Sequence, residues 1–260
     1  MTETQIHPAA VVSPKARLGV GVRVGAFAVI ADGAEIGDRT VVEPHVVIYG
    51  GARIGAECRL FPGSVIAAEP QDLKFKGEET LAIIGDRTVI RECATVNRGT
   101  SSTGRAIVGS DCLVMAYSHV AHDCTIGNRV ILSNGTQLAG HVTIEDWAIL
   151  GGMAKVVQFC TVGAHTMIGA DVKITKDVPP YALVGREPAR IEGINKIGLR
   201  RRDFPEESIV AIEQVYDALF FSGRNVSDGI AYCRQEKLAN RPETGEILRF
   251  VERSKKGVLR

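Results

Sequence analysis

The most regular feature of the chain is an aliphatic residue at every sixth position. Of the 29 multiples of six from residue 6 to residue 174, 26 carry Ile, Leu or Val, and Asp72, Glu78 and Ser102 are the exceptions. Chance would place these residue types at about seven of those positions. A period of six matches neither the helical period nor the two-residue alternation of a plain strand. It indicates a solenoid in which each hexad supplies a short strand and a corner.

Two companion columns refine this interpretation. Glycine follows the aliphatic residue at ten places, which suggests corners that need an unhindered backbone. The residue four after the aliphatic is small and includes Cys58, Cys112, Cys124 and Cys160, which we interpret as inward apolar side chains with reduced thiols. Three hexads per turn give a triangular prism of roughly nine to ten coils. The repeat resembles that of the hexapeptide-repeat transferases, whose prism is a left-handed parallel β-helix.

Breaks in the period divide the chain. Residues 67–83 and 97–107 abandon the repeat, yet it resumes in phase, so we expect two loops extruded from the prism. Adjacent prolines at 179 and 180 end the ladder. From Asp203, which we interpret as a helix cap, the spacing is helical, with further helices near 227–240 and 242–253. We therefore predict a prism over 1–178, a connection over 179–204 and an α-helical domain over 205–260 that covers the prism's open end.

Charge and composition exclude some partners. The 31 basic and 30 acidic side chains leave a formal net charge of +1, so we expect neither a nucleic-acid partner nor a charge-driven membrane surface. No run of 18 apolar residues would form an integral membrane segment, and the first residues lack the features of a secretory signal. These features predict a cytoplasmic protein.

Polar residues recur at the coil length of the predicted prism. The 18-residue spacing places them in two neighbouring columns of one outer edge, His122, Gly140 and Gln158 in the first and Asp123, His141 and Phe159 in the second, with His119 three residues before His122. Successive coils lie about 4.8 Å apart. His122 is thus a candidate general base, Asp123 a candidate partner for its ring if a corner brings the two together, and the Gly140 amide a candidate oxyanion donor.

A third column suggests an apolar groove and an assembly. Asn134, Gly152 and Ala170 are small residues on an outer edge, where they would leave room for a thin apolar chain. Flat prism faces and an exposed site predict a homotrimer in which neighbouring subunits complete the pocket.

Short motifs across nearly the whole chain resemble those of the UDP-N-acetylglucosamine acyltransferases that begin lipid A biosynthesis. They are Gln71-Asp-Leu-Lys74, Ile90-Arg-Glu92, Asn97-Arg-Gly-Thr100, Ala121-His-Asp-Cys124, Leu138-Ala-Gly-His141, Gly151-Gly-Met153, Gln158-Phe-Cys160, Asp177-Val-Pro-Pro-Tyr181 and Leu199-Arg-Arg-Arg202. The resemblance implies transfer of a (3-hydroxy)acyl chain from acyl carrier protein to the 3-position of a UDP-sugar, without a cofactor or a metal.

The resemblance also implies roles for individual residues. His122 would be the general base, Asp123 its partner and Gly140 the oxyanion donor. The substrate-binding residues would be Asp72 and Lys74 of an adjacent subunit's loop, together with His119, His141, Gln158, Asn195, Arg201 and Arg202. Gly152 and Ala170 would line the acyl-chain pocket.

Three residues depart from the family's usual pattern. Asn97 and Val157 stand where the family commonly has histidine. Their presence leaves open an acceptor with a 3-amino group, which would give an amide instead of an ester. Ala170 stands where relatives with longer acyl chains often have glycine, which predicts an intermediate or shortened chain.

Other functions remain open on the sequence. A trimer resembling the gamma-class carbonic anhydrases would use His119 and His122 as zinc ligands, and a coenzyme A-dependent hexapeptide acetyltransferase would use a different donor. A non-enzymatic scaffold would not need His122 at all.

Overall fold

The computed structural model describes residues 3–260. Met1 and Thr2, which belong to the predicted prism and to the N terminus assessed for a signal, lie outside the described residues. The remainder forms a left-handed parallel β-helix followed by short helices. Its three sheets are the faces of a prism, and the chain passes from face 1 to face 2 to face 3 in each coil.

Face 1 consists of Gln5–Ile6, Arg23–Val24, Val41–Val42, Arg59–Leu60, Val89–Ile90, Leu113–Val114, Ile131–Leu132, Ile149–Leu150, Met167–Ile168, Ala182–Gly185 and the antiparallel strand Arg190–Ile194. Face 2 consists of Val11–Val12, Val29–Ile30, Val47–Ile48, Val65–Ala68, Thr95–Asn97, His119–Val120, Gln137–Leu138, Lys155–Val156 and Lys173–Ile174. Face 3 consists of Arg17–Leu18, Glu35–Ile36, Ala52–Ile54, Leu81–Ile84, Arg105–Val108, Thr125–Ile126, Thr143–Ile144 and Thr161–Val162.

The aliphatic residue of each hexad points into the prism and forms its core. Leu60, Ile66 and Ile90 are fully buried, because the coils above and below cover them. Ile6 in the first coil is 48% exposed, since only one neighbouring coil covers it. The predicted small column also points inward, and Cys58, whose thiol is free like those of the other five cysteines, is buried there.

The corners share a backbone conformation that the glycine column did not predict. In most coils the third residue after the inward aliphatic has a φ near +60°, and at Asp123 the value is +60°. Within residues 3–260, none of the ten glycines that follow an aliphatic has a positive φ. A Cβ added to Gly37 would instead lie 2.6 Å from the backbone nitrogen of Ala56 in the next coil. These glycines therefore provide the unhindered backbone that we expected from the sequence, because successive coils approach closely at their positions.

Both predicted loops exist but are shorter than the breaks in the repeat. Face 2 continues to Ala68 and Asn97, and face 3 begins again at Leu81 and Arg105. Cross-strand pairing holds these flanking residues in the sheets. The extruded segments are therefore residues 69–80 and 98–104.

The ladder also runs past residue 178, where we placed the end of the prism. Ala182–Gly185 pairs in parallel with Met167–Ile168, and the chain then turns back as Arg190–Ile194. Pro179 and Pro180 occupy the segment between the Val162–Val178 bridge and the next strand of face 1, where they interrupt no existing strand.

The C-terminal helices are α1 (Lys196–Arg200), α2 (Glu206–Tyr216) with a π-helical turn over Asp217–Phe221, α3 (Val226–Gln235) and α4 (Pro242–Arg253). Pro205 occupies the N-cap of α2, so the interpretation of Asp203 as its cap was wrong. The helices pack on the end of the prism. There the Tyr181 hydroxyl lies 2.5 Å from Glu246 Oε2, and Ser254 Oγ donates to Asp177 Oδ2 at 2.6 Å. Among the described residues, no helix has both the length and the apolar character needed to cross a bilayer.

Candidate active site

One edge of the prism carries both extruded loops and the predicted histidine columns. Segments 69–80 and 98–104 each connect a strand of face 2 to a strand of face 3. His122 lies between the same two faces in the coil that follows, and Gly140 and Gln158 lie above it. We call this corner edge 2/3. Edge 2/3 therefore carries both the predicted histidine columns and the two extruded segments.

His122 and Asp123 form a buried hydrogen-bonded pair on edge 2/3. The two residues are consecutive, and in an extended strand their side chains would point apart. The left-handed backbone of Asp123 turns its carboxylate back toward the ring, so that His122 Nδ1 and Asp123 Oδ2 are 2.7 Å apart. The side chains are 7% and 0% exposed. This contact directs Nε2 of His122 away from the carboxylate.

Segment 98–104 supplies the other partners of Asp123. The Thr100 N–H donates to Oδ1 at 2.9 Å, the Thr100 hydroxyl donates to Oδ2 at 2.8 Å, and the Thr103 hydroxyl donates to Oδ1. Burial by itself would raise the pKa of Asp123, but hydrogen bonds from Thr103, His122 and Thr100 outweigh it and lower this pKa to about 2. Asp123 is therefore an anion at neutral pH.

The other two predicted histidines flank the pair. The ring of His141 meets that of His122 edge to face at 5.3 Å and stacks on Phe159 at 4.7 Å. His119 Nδ1 lies 2.7 Å from the Thr95 hydroxyl, and burial, followed by the charge of His122, lowers the pKa of His119. His119 is therefore neutral at pH 7.

Gly140 packs directly against the imidazole of His122. A Cβ at this position would lie 2.5 Å from His122 Cε1 and 2.7 Å from Nε2. Within residues 3–260, the Gly140 N–H donates to no acceptor. At matching corners between faces 3 and 1, side chains of the next coil cap this amide; the Ser110 N–H, for example, donates to Asn128 Oδ1 at 2.9 Å. The uncapped amide beside His122 is thus a free donor.

The same cluster contains residue types that bind metal ions, but the oxygens of its carboxylate already accept hydrogen bonds. Ligand atoms of His122, Asp123 and His141 lie within 4.8 Å of one another. Asp123, however, already accepts hydrogen bonds on both oxygens from two threonines and a histidine. A carboxylate offers about four lone-pair positions. Asp123 therefore has no lone pair left for a metal ion, and the residues fit a hydrogen-bonded His–Asp pair.

The remaining predicted residues of this edge are more exposed. Asp72 and Lys74 lie in segment 69–80, where the Lys74 N–H donates to Asp72 Oδ1 at 3.0 Å and Leu73 is fully exposed. Gln158 is exposed two coils above His122. Within the described residues, none of these side chains hydrogen-bonds to His122 or Asp123.

Two departures from the family pattern also lie on edge 2/3. Asn97 is buried one coil below Ala121, and its Nδ2 donates to the carbonyls of Ala68 and Glu69 at the base of segment 69–80. Its Oδ1 is buried and has no partner within the described residues. Val157 is half-buried against the core, beside Gln158.

Asn195, Arg201 and Arg202 lie away from edge 2/3. Asn195 caps α1 by accepting from the Gly198 N–H at 3.1 Å, and its Nδ2 donates to the His165 carbonyl at 2.9 Å. Arg202 stacks on Trp147 at 5.1 Å and donates to the Trp147 carbonyl. Both side chains thus have partners within their own chain.

Arg201 lines an apolar groove that the sequence did not reveal. Its floor is the outer surface of face 1, where Ile149, Met167 and Leu183 follow one another, and its wall is α1 with Asn195. Face 1 is opposite edge 2/3 in a triangular prism. The floor could have been predicted from the sequence, because its residues are the outward-facing ones that precede each inward aliphatic. The wall could not, because it depends on the hairpin beyond Pro180.

The predicted acyl-pocket residues lie on yet another edge. Gly152 and Ala170 occupy the corner between faces 1 and 2, beside the exposed Met153. A Cβ at Gly152 would meet only the Asn134 carbonyl, at 3.5 Å. One chain therefore presents its His–Asp pair, its groove and its small-residue column on three sides.

Comparisons with known proteins agree with this architecture. A family model described as Udp N-acetylglucosamine O-acyltransferase, domain 2, matches residues 177–259, and the bacterial transferase hexapeptide model matches residues 33–68 and 105–140. The UDP-N-acetylglucosamine acyltransferase of Bacteroides fragilis is 42% identical over 98% of this chain and 100% of its own, with a TM-score of 0.96. That of Francisella novicida is 36% identical over 98% and 94%, with a TM-score of 0.94. The Arabidopsis enzyme is 30% identical over 98% and 100%, with a TM-score of 0.87.

Proposed function

Because the chain belongs to the UDP-N-acetylglucosamine acyltransferase family, we propose that it transfers a (3-hydroxy)acyl chain from acyl carrier protein to the 3-position of UDP-N-acetylglucosamine, the first step of lipid A biosynthesis. The observation that carries this proposal is the buried His122–Asp123 pair packed against the uncapped amide of Gly140. Acyl transfer needs this combination of a base and an oxyanion donor.

The reaction proceeds in two proton-coupled stages. Nε2 of His122 takes the proton of the 3-hydroxyl as that oxygen forms a bond to the thioester carbonyl carbon. The carbon–sulfur bond then breaks, and the imidazolium returns its proton to the departing thiolate. The products are an ester and the free thiol of the carrier. Asp123 stabilises the imidazolium between the stages and holds the ring in the productive tautomer.

Gly140 acts on the intermediate between these stages. Attack converts the thioester carbonyl into an oxyanion, and a preoriented backbone N–H stabilises that charge more than it stabilises the neutral carbonyl. Because the imidazole packs against Gly140, the base and the oxyanion donor lie close enough to act at the same thioester carbonyl. His119, His141 and Gln158 surround this position and bind the sugar.

The acyl donor and the nucleotide bind to surfaces contributed by a neighbouring subunit. The groove of face 1, with Asn195 and Arg201, is opposite edge 2/3 and cannot serve His122 of the same chain. Outer residues Leu113, Ile131 and Ile149 make face 1 apolar, whereas Thr125, Thr143 and Thr161 make face 3 polar. We propose a homotrimer in which face 1 is covered, Asp72 and Lys74 reach the adjacent site, and Arg202, Gly152 and Ala170 complete the substrate contacts.

A 3-amino UDP-sugar is the second candidate acceptor, and Asn97 favours it. The buried Oδ1 of Asn97 lacks a donor, and strand pairing places this residue next to Ala121 at the base of the site. An amine has more N–H donors than a hydroxyl has O–H donors. The same base and oxyanion donor would then form an amide.

Replacement of the base tests the proposed mechanism. We expect His122→Ala to lower the rate by at least ~10²-fold, the usual contribution of a general base. Mass spectrometry of the product from UDP-N-acetylglucosamine and from its 3-amino analogue, with acyl donors on carrier protein and on coenzyme A, identifies acceptor and donor together.

His45→Ala is the matched control, because His45 lies on a different edge, where its ring stacks on Phe27. It should keep the full rate. Normal turnover by a folded His122→Ala protein would contradict the mechanism, and so would loss of activity in a metal chelator.

A further inference from the structure

We propose that Thr100 and Thr103 are positioning residues that hold Asp123 in the orientation from which it supports His122. This inference rests on the proposed roles of His122 and Asp123. It assigns segment 98–104 to the chemistry of edge 2/3, although no residue of this segment needs to touch either substrate.

The contacts of Asp123 divide between the segment and the histidine. Thr100 binds both carboxylate oxygens, through its N–H at 2.9 Å and its hydroxyl at 2.8 Å, and the Thr103 hydroxyl binds Oδ1. His122 Nδ1 is the remaining hydrogen-bond partner, at 2.7 Å. A carboxylate held at both oxygens cannot rotate about its last bond without losing hydrogen bonds, so its lone pair stays directed at the ring.

The backbone of segment 98–104 is itself fixed to the prism. The Gly99 carbonyl accepts from the Thr80 hydroxyl at 2.6 Å, and the Gly99 N–H donates to the Leu81 carbonyl at 3.1 Å. A Cβ on Gly99 would lie only 2.2 Å from the backbone nitrogen of Arg105. The segment is therefore a packed turn, and it presents its threonines at defined places.

Asp123 needs these donors because its surroundings disfavour a charge. Its side chain is 0% exposed, and the groups with ionisable rings that face it are His122 and, at 3.6 Å, His141 Nε2. Burial opposes ionisation of Asp123, whereas the threonine and histidine hydrogen bonds hold its pKa low. An ionised Asp123 fixes the proton of His122 on Nδ1 and leaves Nε2 free to act as the base.

Loss of a threonine hydroxyl should therefore affect the chemical step and leave binding intact. The Thr100 hydroxyl donates its one proton to Asp123 Oδ2 at 2.8 Å, so it has none to offer a substrate. We expect Thr100→Val to lower kcat about tenfold with KM for both substrates unchanged, the factor that corresponds to about 1.4 kcal/mol. Thr103→Val should act in the same direction, and Thr100→Ser, which keeps the hydroxyl, should recover most of the rate.

Thr88→Val is the matched control. The buried Thr88 hydroxyl donates to the Gly109 carbonyl at 2.7 Å and accepts from the Cys112 N–H at 3.1 Å on a different edge. We expect this variant to unfold at a lower temperature while keeping kcat. If Thr88→Val lowers kcat as much as Thr100→Val does, or if Thr100→Ser fails to recover it, the positioning role is wrong.

A double variant separates this inference from the proposed function. In a His122→Ala protein, the threonines have no base to support, so Thr100→Val should not lower the residual rate further. A further tenfold loss in that background would overturn the positioning role. A normal rate for His122→Ala alone would instead contradict the proposed mechanism. Light scattering on each variant confirms that rates are compared between identical assemblies.

Discussion

The backbone at Asp123 shows how one residue's conformation brings the side chains of two consecutive residues, His122 and Asp123, into contact. Its φ of +60° is shared by ordinary residues at most corners of the prism, so the fold imposes it and the site exploits it. From the sequence we expected that His122 and Asp123 would meet only at a bend, and the bend is present. The threonine contacts were not predictable, because an irregular segment has no period that relates Thr100 to Asp123.

Gly140 allows a direct test at this scale. We expect Gly140→Ala to lower kcat by roughly 10²-fold, because its methyl group would displace the His122 ring, and misplacement by about 1 Å costs a factor of this order. Gly245→Ala in α4 is the control, since a Cβ there meets the flexible guanidinium of Arg249 at 3.1 Å and makes an ordinary contact with the Ala239 carbonyl at 3.7 Å. Equal rates of product formation by the two variants would show that the imidazole tolerates displacement.

At the scale of elements, the hexad repeat predicted most of the fold. Its register assigns the strands from Gln5–Ile6 to Lys173–Ile174 to faces, because residues 18 apart pair directly outside the two extruded segments, as His119 does with Gln137. The breaks in the repeat predicted loops that are too long, because strand pairing extends Val65–Ala68 and Leu81–Ile84 into residues that lack the repeat. The hairpin that ends at Ile194 was missed, because it follows two prolines and leaves the period of six.

An aromatic column joins the prism to the helical region and makes this junction sensitive to acid. The rings of Trp147, His165 and Tyr181 stack with interplanar angles of 13° and 16°. Arg202 Nη1 lies 3.4 Å from His165 Nδ1. Burial, followed by the charge of Arg202, lowers the pKa of His165 to about 4. The folded protein therefore holds His165 neutral at a pH where the unfolded chain protonates it.

The sign of the pH effect follows from this difference. The stabilisation is complete above the unfolded pKa of about 6.5 and is lost progressively as the pH falls to about 4. We expect the thermal unfolding midpoint to fall less between pH 7 and pH 4.5 in His165→Phe, which keeps a stacked ring, than in the wild type. An identical fall in both proteins would exclude His165 as the acid-sensitive group.

At the scale of the whole molecule, the proposed homotrimer would combine functional groups from more than one chain in each site. The groove of face 1 and the His122–Asp123 pair of edge 2/3 lie on opposite sides of a single subunit. The sequence predicted the histidine columns of edge 2/3 but not the groove of face 1, and the orientation of one subunit relative to the next is not encoded in a periodicity.

Mixed assemblies test this arrangement. His122→Ala and Lys74→Ala each remove one part of a site, so either protein alone should be nearly inactive. After joint refolding at equal concentrations, roughly one quarter of the sites in a random homotrimer would receive both intact parts from different chains. Recovery of about that fraction of the wild-type rate is the expected result. Absence of any recovery, with mixed trimers verified by mass spectrometry, would show that each site belongs to one chain.

Segments 69–80 and 98–104 leave the prism at the same corner, edge 2/3, in two successive coils, and the stacked coils close again above them with their pairing intact. A change in segment 69–80 is therefore absorbed locally, since the strands on both sides are already anchored by their own neighbours. In such a scaffold, natural variation can change the loop residues around the substrates while the reacting groups stay on rigid coils of the prism. Selectivity for sugar or chain length can diverge between related enzymes without a new catalytic apparatus.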